Sequence, residues 1–118
     1  MKIRIKDNSI RLRLSPEEVQ QLADKGIVEK QCHFPQQTLS YGVQSKAGIE
    51  HPYAQFKEEC ILVFVSSAFA KAWPDNETVG VYHTTKEGLS LVIEKDFQCL
   101  TPREGEQEEK LYPNPEAQ

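Results

Sequence analysis

The first fourteen residues alternate between charged and apolar side chains in two short runs, 2–6 and 10–14. A period of two is typical of a β-strand with one buried and one solvent-exposed face. Residues 7–9 (Asp-Asn-Ser) separate the runs and favour a turn. The pattern therefore predicts a hairpin with one apolar and one basic face. The basic face carries Lys2, Arg4, Lys6, Arg11 and Arg13.

A helix start signal follows this hairpin directly. Ser15 can cap the helix, Pro16 suits its first position, and Glu18 completes a capping box. Gly26 supplies the left-handed residue that commonly ends a helix. The sequence therefore predicts a helix over residues 16–25.

The later apolar runs predict six more strands and a second, shorter helix. Ser66 is the predicted cap of that helix, and Pro74 ends it. The strands are predicted over residues 27–34, 38–44, 53–57, 60–65, 79–84 and 89–94.

Both halves of the chain, 2–44 and 53–95, therefore have the order strand-strand-helix-strand-strand. Residues 10–15 (I-R-L-R-L-S) and 61–66 (I-L-V-F-V-S) open equivalent passages 51 positions apart. Such a repeat indicates duplicated units, although any small α+β domain yields a similar order of elements. We expect a single α+β domain over residues 1–100, in which the duplicated units form one β-barrel-like structure with two short helices.

Charge is distributed unevenly along the chain, whose net charge is −4. Residues 1–14 hold five cations and one anion, a net +4, whereas residues 101–118 hold two cations and five anions, a net −3. We interpret 101–118 as an acidic, Pro-containing tail with Leu111 and Tyr112 as its apolar anchor. The basic hairpin then has three candidate counterparts: nucleic acid, the acidic tail, or an acidic protein partner.

The composition, 38% hydrophobic and 27% charged, is typical of a folded soluble protein. The chain has no apolar run of about 20 residues and no apolar segment of a signal peptide, so we expect no membrane association. Its three cysteines lack C-x-x-C spacing, which favours reduced thiols and a cytoplasmic location.

The candidates for chemistry are sparse. Six side chains are suitable soft metal ligands, but they lack the close pairs typical of zinc sites, so we expect neither a metal nor a cofactor. These six are Cys32, His33, His51, Cys60, His83 and Cys99. A polar site at Glu94, Lys95, Asp96 and His83 is the remaining candidate, since charges there lie beside an apolar strand. No catalytic residue is predicted, and an enzyme is the less favoured class.

The order of elements resembles the swapped-hairpin barrels of the AbrB family and of its two-repeat relative, the MraZ type. In that family, basic residues of exposed hairpins bind DNA, which would implicate Arg4, Lys6, Arg11 and Arg13. The second-half hairpin departs from this pattern, because it offers only Lys57 and carries residues 58–59 (Glu-Glu).

A second resemblance spans essentially the whole chain. The opening M-K-I-R-I-K-x-N-S-I-R, the later E-K-D-F-x-C-L and the late residues 114–115 (Asn-Pro) are similar to a family of small bacterial proteins of unknown function. That resemblance implies a bacterial cytoplasmic protein and carries no activity.

Together these patterns favour a non-enzymatic binding module for a protein partner or for self-association. The alternative is an AbrB-like DNA-binding transcriptional regulator. A small enzyme or metal-binding protein is the third hypothesis.

Overall fold

The computed structural model describes residues 1–97 and 111–113, and the predicted α+β class is confirmed. Every predicted strand is present, with its ends within two residues of the prediction. In chain order the elements are β1 (Lys2–Lys6), β2 (Ser9–Leu14), α1 (Pro16–Lys25), β3 (Ile27–His33), β4 (Thr38–Lys46), β5 (Tyr53–Lys57), β6 (Cys60–Ser66), α2 (Ser67–Ala72), a 3₁₀ helix (Trp73–Asp75), β7 (Gly80–Thr84) and β8 (Ser90–Lys95).

Helix α1 begins and ends where its capping residues place it. The Ser15 hydroxyl accepts from the Glu18 backbone N–H at 3.3 Å, and the Glu18 carboxylate accepts from the Ser15 N–H at 2.9 Å. These bonds satisfy two backbone donors that the helix itself leaves free. Gly26 ends the helix with φ +79°, a conformation that costs little only for glycine.

The strands form two four-stranded sheets, sheet A in the order β1-β2-β8-β7 and sheet B in the order β3-β4-β6-β5. Each sheet joins one hairpin from each half of the chain, through a parallel central pair. The two registers correspond, because Ser9 lies opposite Ser90 in sheet A and Cys60 lies opposite Ser40 in sheet B. The halves have thus exchanged hairpins, whereas the duplication itself stays a prediction.

The predicted barrel is wrong, because the eight strands remain two separate sheets. A closed barrel would need β1 to pair with β3, and β5 with β7, and no such ladder exists in the described part of the chain. Side chains occupy both seams instead. The Tyr41 hydroxyl donates to the Met1 carbonyl at 3.3 Å in one seam, and the His51 and His83 rings stack at 4.5 Å in the other. The seams therefore open as two clefts.

The core fills the space between the sheets and the helices. Trp73 is its largest fully buried side chain, and its indole N–H donates to the Thr78 carbonyl at 2.8 Å. Phe69 packs on the same ring, with 4.7 Å between ring centroids. Helix α1 contributes Val19 and Leu22, both inaccessible to solvent. The helices therefore close one end of the core and hold the sheets together.

Strand β6 carries apolar side chains on both of its faces. Val63 and Val65 point into the core, so the alternating positions 60, 62 and 64 point outward. Phe64 is nevertheless buried, because Tyr53 stacks on it with 4.7 Å between ring centroids. Cys60, on the same outer face, is half-buried and lies outside the core.

Candidate functional site

The five cations of the predicted basic hairpin lie on the outer face of sheet A. In the β1–β2 ladder, Arg4 is directly opposite Arg11, and Lys2 is opposite Arg13. Leu12, between the two arginines of β2, points into the core and fixes the opposite orientation for its neighbours. Like charges directly across a ladder destabilise a sheet unless an anion lies close by.

One carboxylate, that of Glu94 on the adjacent strand β8, serves both arginines of β2. It accepts from Arg13 Nε at 3.0 Å and lies 3.5 Å from Arg11 Nε. The Tyr82 hydroxyl donates to its second oxygen at 3.4 Å. Burial, followed by the negative charge of Glu94, raises the pKa of Tyr82. Glu94 therefore neutralises much of the positive charge in the middle of the face.

A second carboxylate neutralises the first cation of β1. Lys2 Nζ lies 3.0 Å from the Asp96 carboxylate, which is buried. The Asp96 backbone N–H donates to the Leu14 carbonyl at 2.9 Å, so the carboxylate is held at the end of β2. The charge of Lys2 is therefore engaged within the protein.

Arg4 and Lys6 differ from the other three cations. Among the described residues neither has an ion-pair partner, and both side chains are exposed. With Ser9 and Arg11 they line a depression of about 230 Å³ on the outer face. Two guanidinium groups, an ammonium and a hydroxyl around one concavity offer hydrogen-bond donors to an anion.

The predicted polar site does not assemble into one place. Glu94 lies on the outer face of sheet A, whereas Lys95, its neighbour on the strand, is buried on the opposite face. The Lys95 ammonium donates to the Asn76 carbonyl at 2.7 Å, and burial lowers its pKa, an effect that Glu77 partly opposes. Asp96 binds Lys2, as described above, and His83 lies in the seam between β5 and β7.

Cleft 1, at the seam between β1 and β3, is polar and has a volume of about 580 Å³. Its central charge is Glu18, whose carboxylate accepts from the Met1 amino group at 2.5 Å. Lys30 Nζ lies 3.7 Å from the same oxygen. Burial raises the pKa of Glu18, but the bonds from Met1 and Ser15 outweigh it, and the net pKa is lowered. The cleft therefore already holds a neutralised ion pair.

Cleft 2, at the seam between β5 and β7, has a volume of about 530 Å³. The His51 and His83 rings lie parallel within 1°. Pro52, Ala54 and Leu89 form apolar parts of its lining. The cleft therefore joins an imidazole pair to an apolar surface.

The other soft side chains are dispersed. Within residues 1–97 and 111–113, no group of three or more His, Cys, Asp or Glu side chains can hold a metal ion. Cys32 is exposed on β3, beside His33. Burial, followed by the charge of Glu29, raises the pKa of the Cys60 thiol, which disfavours the nucleophilic thiolate. Cys99 lies outside the described residues.

The predicted anchor of the tail contacts the domain. The Tyr112 N–H donates to the Asp96 carbonyl at 2.9 Å, and its ring packs against Phe97 with 5.6 Å between centroids. Lys95 Nζ lies 5.3 Å from the centre of the Tyr112 ring. The anchor therefore covers the end of β8, next to the ion pair of Lys2.

Sequence reasoning missed both seams. The capping box identified Glu18, but its bond to Met1 joins positions 17 residues apart and has no local signal. The stacking of His51 on His83 likewise joins a loop to a strand 32 positions later. Only the adjacency of β5 and β7 brings those rings together.

The fold and these surfaces define a small α+β protein with a partly neutralised basic sheet face, one polar cleft and one cleft that is partly apolar. The chain belongs to a family of unknown function, DUF7009, which matches residues 1–116. The predicted whole-chain resemblance to such a family is thus confirmed. No curated protein and no solved structure matches the chain. No helix among the described residues is long and apolar enough to cross a membrane.

Proposed function

We propose that this protein is a non-enzymatic binding module that takes an acidic protein segment on the outer face of sheet A. The observation that carries the proposal is the depression between Arg4, Lys6 and Arg11, where two cations have no described ion-pair partner. Exposed, unpaired cations that are spaced as on a β-sheet can bind the carboxylates of an extended acidic chain.

The charge balance of the face favours a short acidic segment over duplex DNA. Five cations lie on the face, but Glu94 and Asp96 engage three of them. Duplex DNA presents a charge about every 1.7 Å and is bound through many phosphate contacts. The equivalent hairpin, β5–β6, adds only Lys57 and carries two glutamates in its turn. Two available cations match two or three carboxylates better than a phosphate backbone.

A titration with a labelled oligoglutamate peptide at low and at physiological salt tests the proposal. The variant Arg4→Ala/Lys6→Ala should weaken binding by about tenfold or more, because each cation supplies a charge-assisted hydrogen bond. The matched control is Lys57→Ala/Lys71→Ala, which removes two exposed cations elsewhere and changes the net charge equally. Absence of binding at low salt, or equal weakening in both double variants, would refute the proposal.

DNA binding is the second candidate, and the exchange of hairpins between the halves favours it. Each sheet joins hairpins from both halves, as expected of two swapped-hairpin units of the AbrB type. The same titration with a duplex distinguishes the candidates. Tighter, salt-sensitive binding of the duplex than of oligoglutamate, lost in Arg4→Ala/Lys6→Ala, would favour the regulator.

A further inference from the structure

Strand β3 is an edge of sheet B, and its residues from Glu29 to His33 are all exposed. The bond from the Phe34 N–H to the Gln37 carbonyl, at 2.8 Å, fixes which residues point their backbone groups toward β4. Backbone orientation alternates along an antiparallel strand. The N–H and C=O groups therefore face β4 at residues 28, 30, 32 and 34, and they point away from it at residues 27, 29, 31 and 33. Of these, the Ile27 carbonyl accepts from the Gln21 side chain. Among the described residues no strand pairs with the outward backbone groups of residues 29, 31 and 33, which lie beside cleft 1, lined in part by Gln31.

This open edge is complementary to itself. If two copies pair antiparallel about Gln31, then Glu29 of each copy lies opposite His33 of the other, and Gln31 lies opposite Gln31. Each of these is a hydrogen-bonded pair, so the three pairs exchange six backbone bonds. A shift of two residues in either direction moves Glu29 of each copy away from His33 of the other. Among the hydrogen-bonded registers along β3, the one centred on Gln31 places each carboxylate directly opposite an imidazole.

The edge of sheet A provides a contrast. Strand β1 carries Lys2, Arg4 and Lys6, so a second copy paired there would bring cations together. Charged side chains on edge strands are a known device against pairing between chains. Strand β3 has a carboxylate, an amide and an imidazole on the corresponding face, an arrangement that pairs with itself without repulsion.

We propose that two copies of this chain associate through β3, antiparallel and centred on Gln31, joining two B sheets into one continuous eight-stranded sheet. The twofold axis passes between the two Gln31 residues. The basic face of sheet A takes no part in this contact, so the inference goes beyond the binding of an acidic segment.

Sedimentation velocity on the full chain over a range of concentrations tests the proposal. The expected species is a dimer of 27 kDa, twice the 13.5 kDa of one chain. Gln31→Pro removes an N–H that β4 does not use, and proline is tolerated at such edge positions. It should raise the dissociation constant by about tenfold or more, because it removes one bond in each direction. The control Gln31→Thr keeps the N–H and should remain dimeric.

A cross-link gives an independent readout that does not depend on the proline variant folding. In a Cys32→Ser background, Gln31→Cys places two cysteines opposite each other, with Cα atoms about 5.5 Å apart, within the range of a disulfide. Mild oxidation should yield a covalent dimer, whereas Gln55→Cys on the exposed part of β5 should not. A wild-type chain that stays monomeric at every concentration, or equal cross-linking at positions 31 and 55, would overturn the proposal.

Discussion

Replacing Glu18 by glutamine separates charge from shape in cleft 1. Glu18 is 6% exposed, and its carboxylate accepts from the Met1 amino group at 2.5 Å and from the Ser15 N–H at 2.9 Å. Glutamine has the same size and also forms capping boxes, so the bond to Ser15 survives. The substitution therefore removes the negative charge that faces the amino group and leaves the helix start intact.

The expected loss of unfolding free energy is about 1–2 kcal/mol at neutral pH. A hydrogen bond to a charged group contributes about 1.5–3 kcal/mol and a neutral one about 1 kcal/mol, so the exchange costs the difference and leaves a cation with a weaker partner. Lys30, at 3.7 Å and half-exposed, adds little because solvent screens it.

The loss should depend on pH in a defined direction. The pKa of Glu18 is lower in the folded protein than its ordinary value. Ionised Glu18 therefore stabilises the fold fully above the unfolded-state pKa, and this contribution disappears as the pH falls through the folded-state pKa. The wild type and Glu18→Gln should consequently become equally stable in acid.

Urea unfolding, followed by the fluorescence of the single tryptophan, Trp73, measures the unfolding free energies of the wild type and of Glu18→Gln at neutral and acidic pH. Glu17→Gln is the matched control, because Glu17 shares the first turn of α1 but is exposed. It should cost only about 0.5 kcal/mol, through the helix dipole. A Glu18→Gln loss no larger than that of Glu17→Gln, or one that persists unchanged in acid, would contradict the reasoning.

Three further substitutions test the packing of the fold. Glu58→Asn/Glu59→Gly should stabilise the protein by about 1–2 kcal/mol, because both residues have positive φ (51° and 61°) in a two-residue hairpin turn; an unchanged thermal midpoint would count against this. Gly42→Ala should destabilise it by about 2 kcal/mol or more in urea unfolding, since a Cβ there collides with the Val28 carbonyl oxygen. Trp73→Phe should lower the free energy of unfolding by about 2 kcal/mol, measured by thermal circular dichroism, because the smaller ring fills less of the core and the carbonyl that accepts from the indole N–H loses its donor. A loss below half that value would indicate that the bond at 2.8 Å is dispensable.

The sequence predicted the elements well because their signals are local. The cap at Ser15, the first-turn Pro16 and the stop at Gly26 fix α1 from adjacent residues. The alternation of charged and apolar residues identified β1 and β2, because one face of their hairpin is buried and the other is charged. Strand β6 shows where alternation fails: its outer face is also apolar, so the pattern could not tell which side Cys60 occupies.

Closure of the sheets and assembly of the sites were not predictable from the same signals. A barrel and two open sheets use the same strands with the same alternation, and they differ only in whether the edges pair. Here Tyr41 and the stacked pair of His51 and His83 occupy the seams, which is a property of contacts between distant parts of the chain. The partnership of Glu94 with Arg13 is similarly distant, 81 positions along the chain.

The exchange of hairpins also sets the order in which the protein can fold during synthesis. Sheet B is complete in sequence once β6 has been made, but sheet A needs β8, which lies 81 positions after its partner β2. Strand β2 therefore emerges from the ribosome with Leu12 and Leu14 uncovered long before their partners exist. Such long-range pairing slows folding and prolongs the exposure of apolar surface. A nascent chain that stops before β7 would thus lack half of the sheet that bears the basic face, leaving the first hairpin without the carboxylate of Glu94.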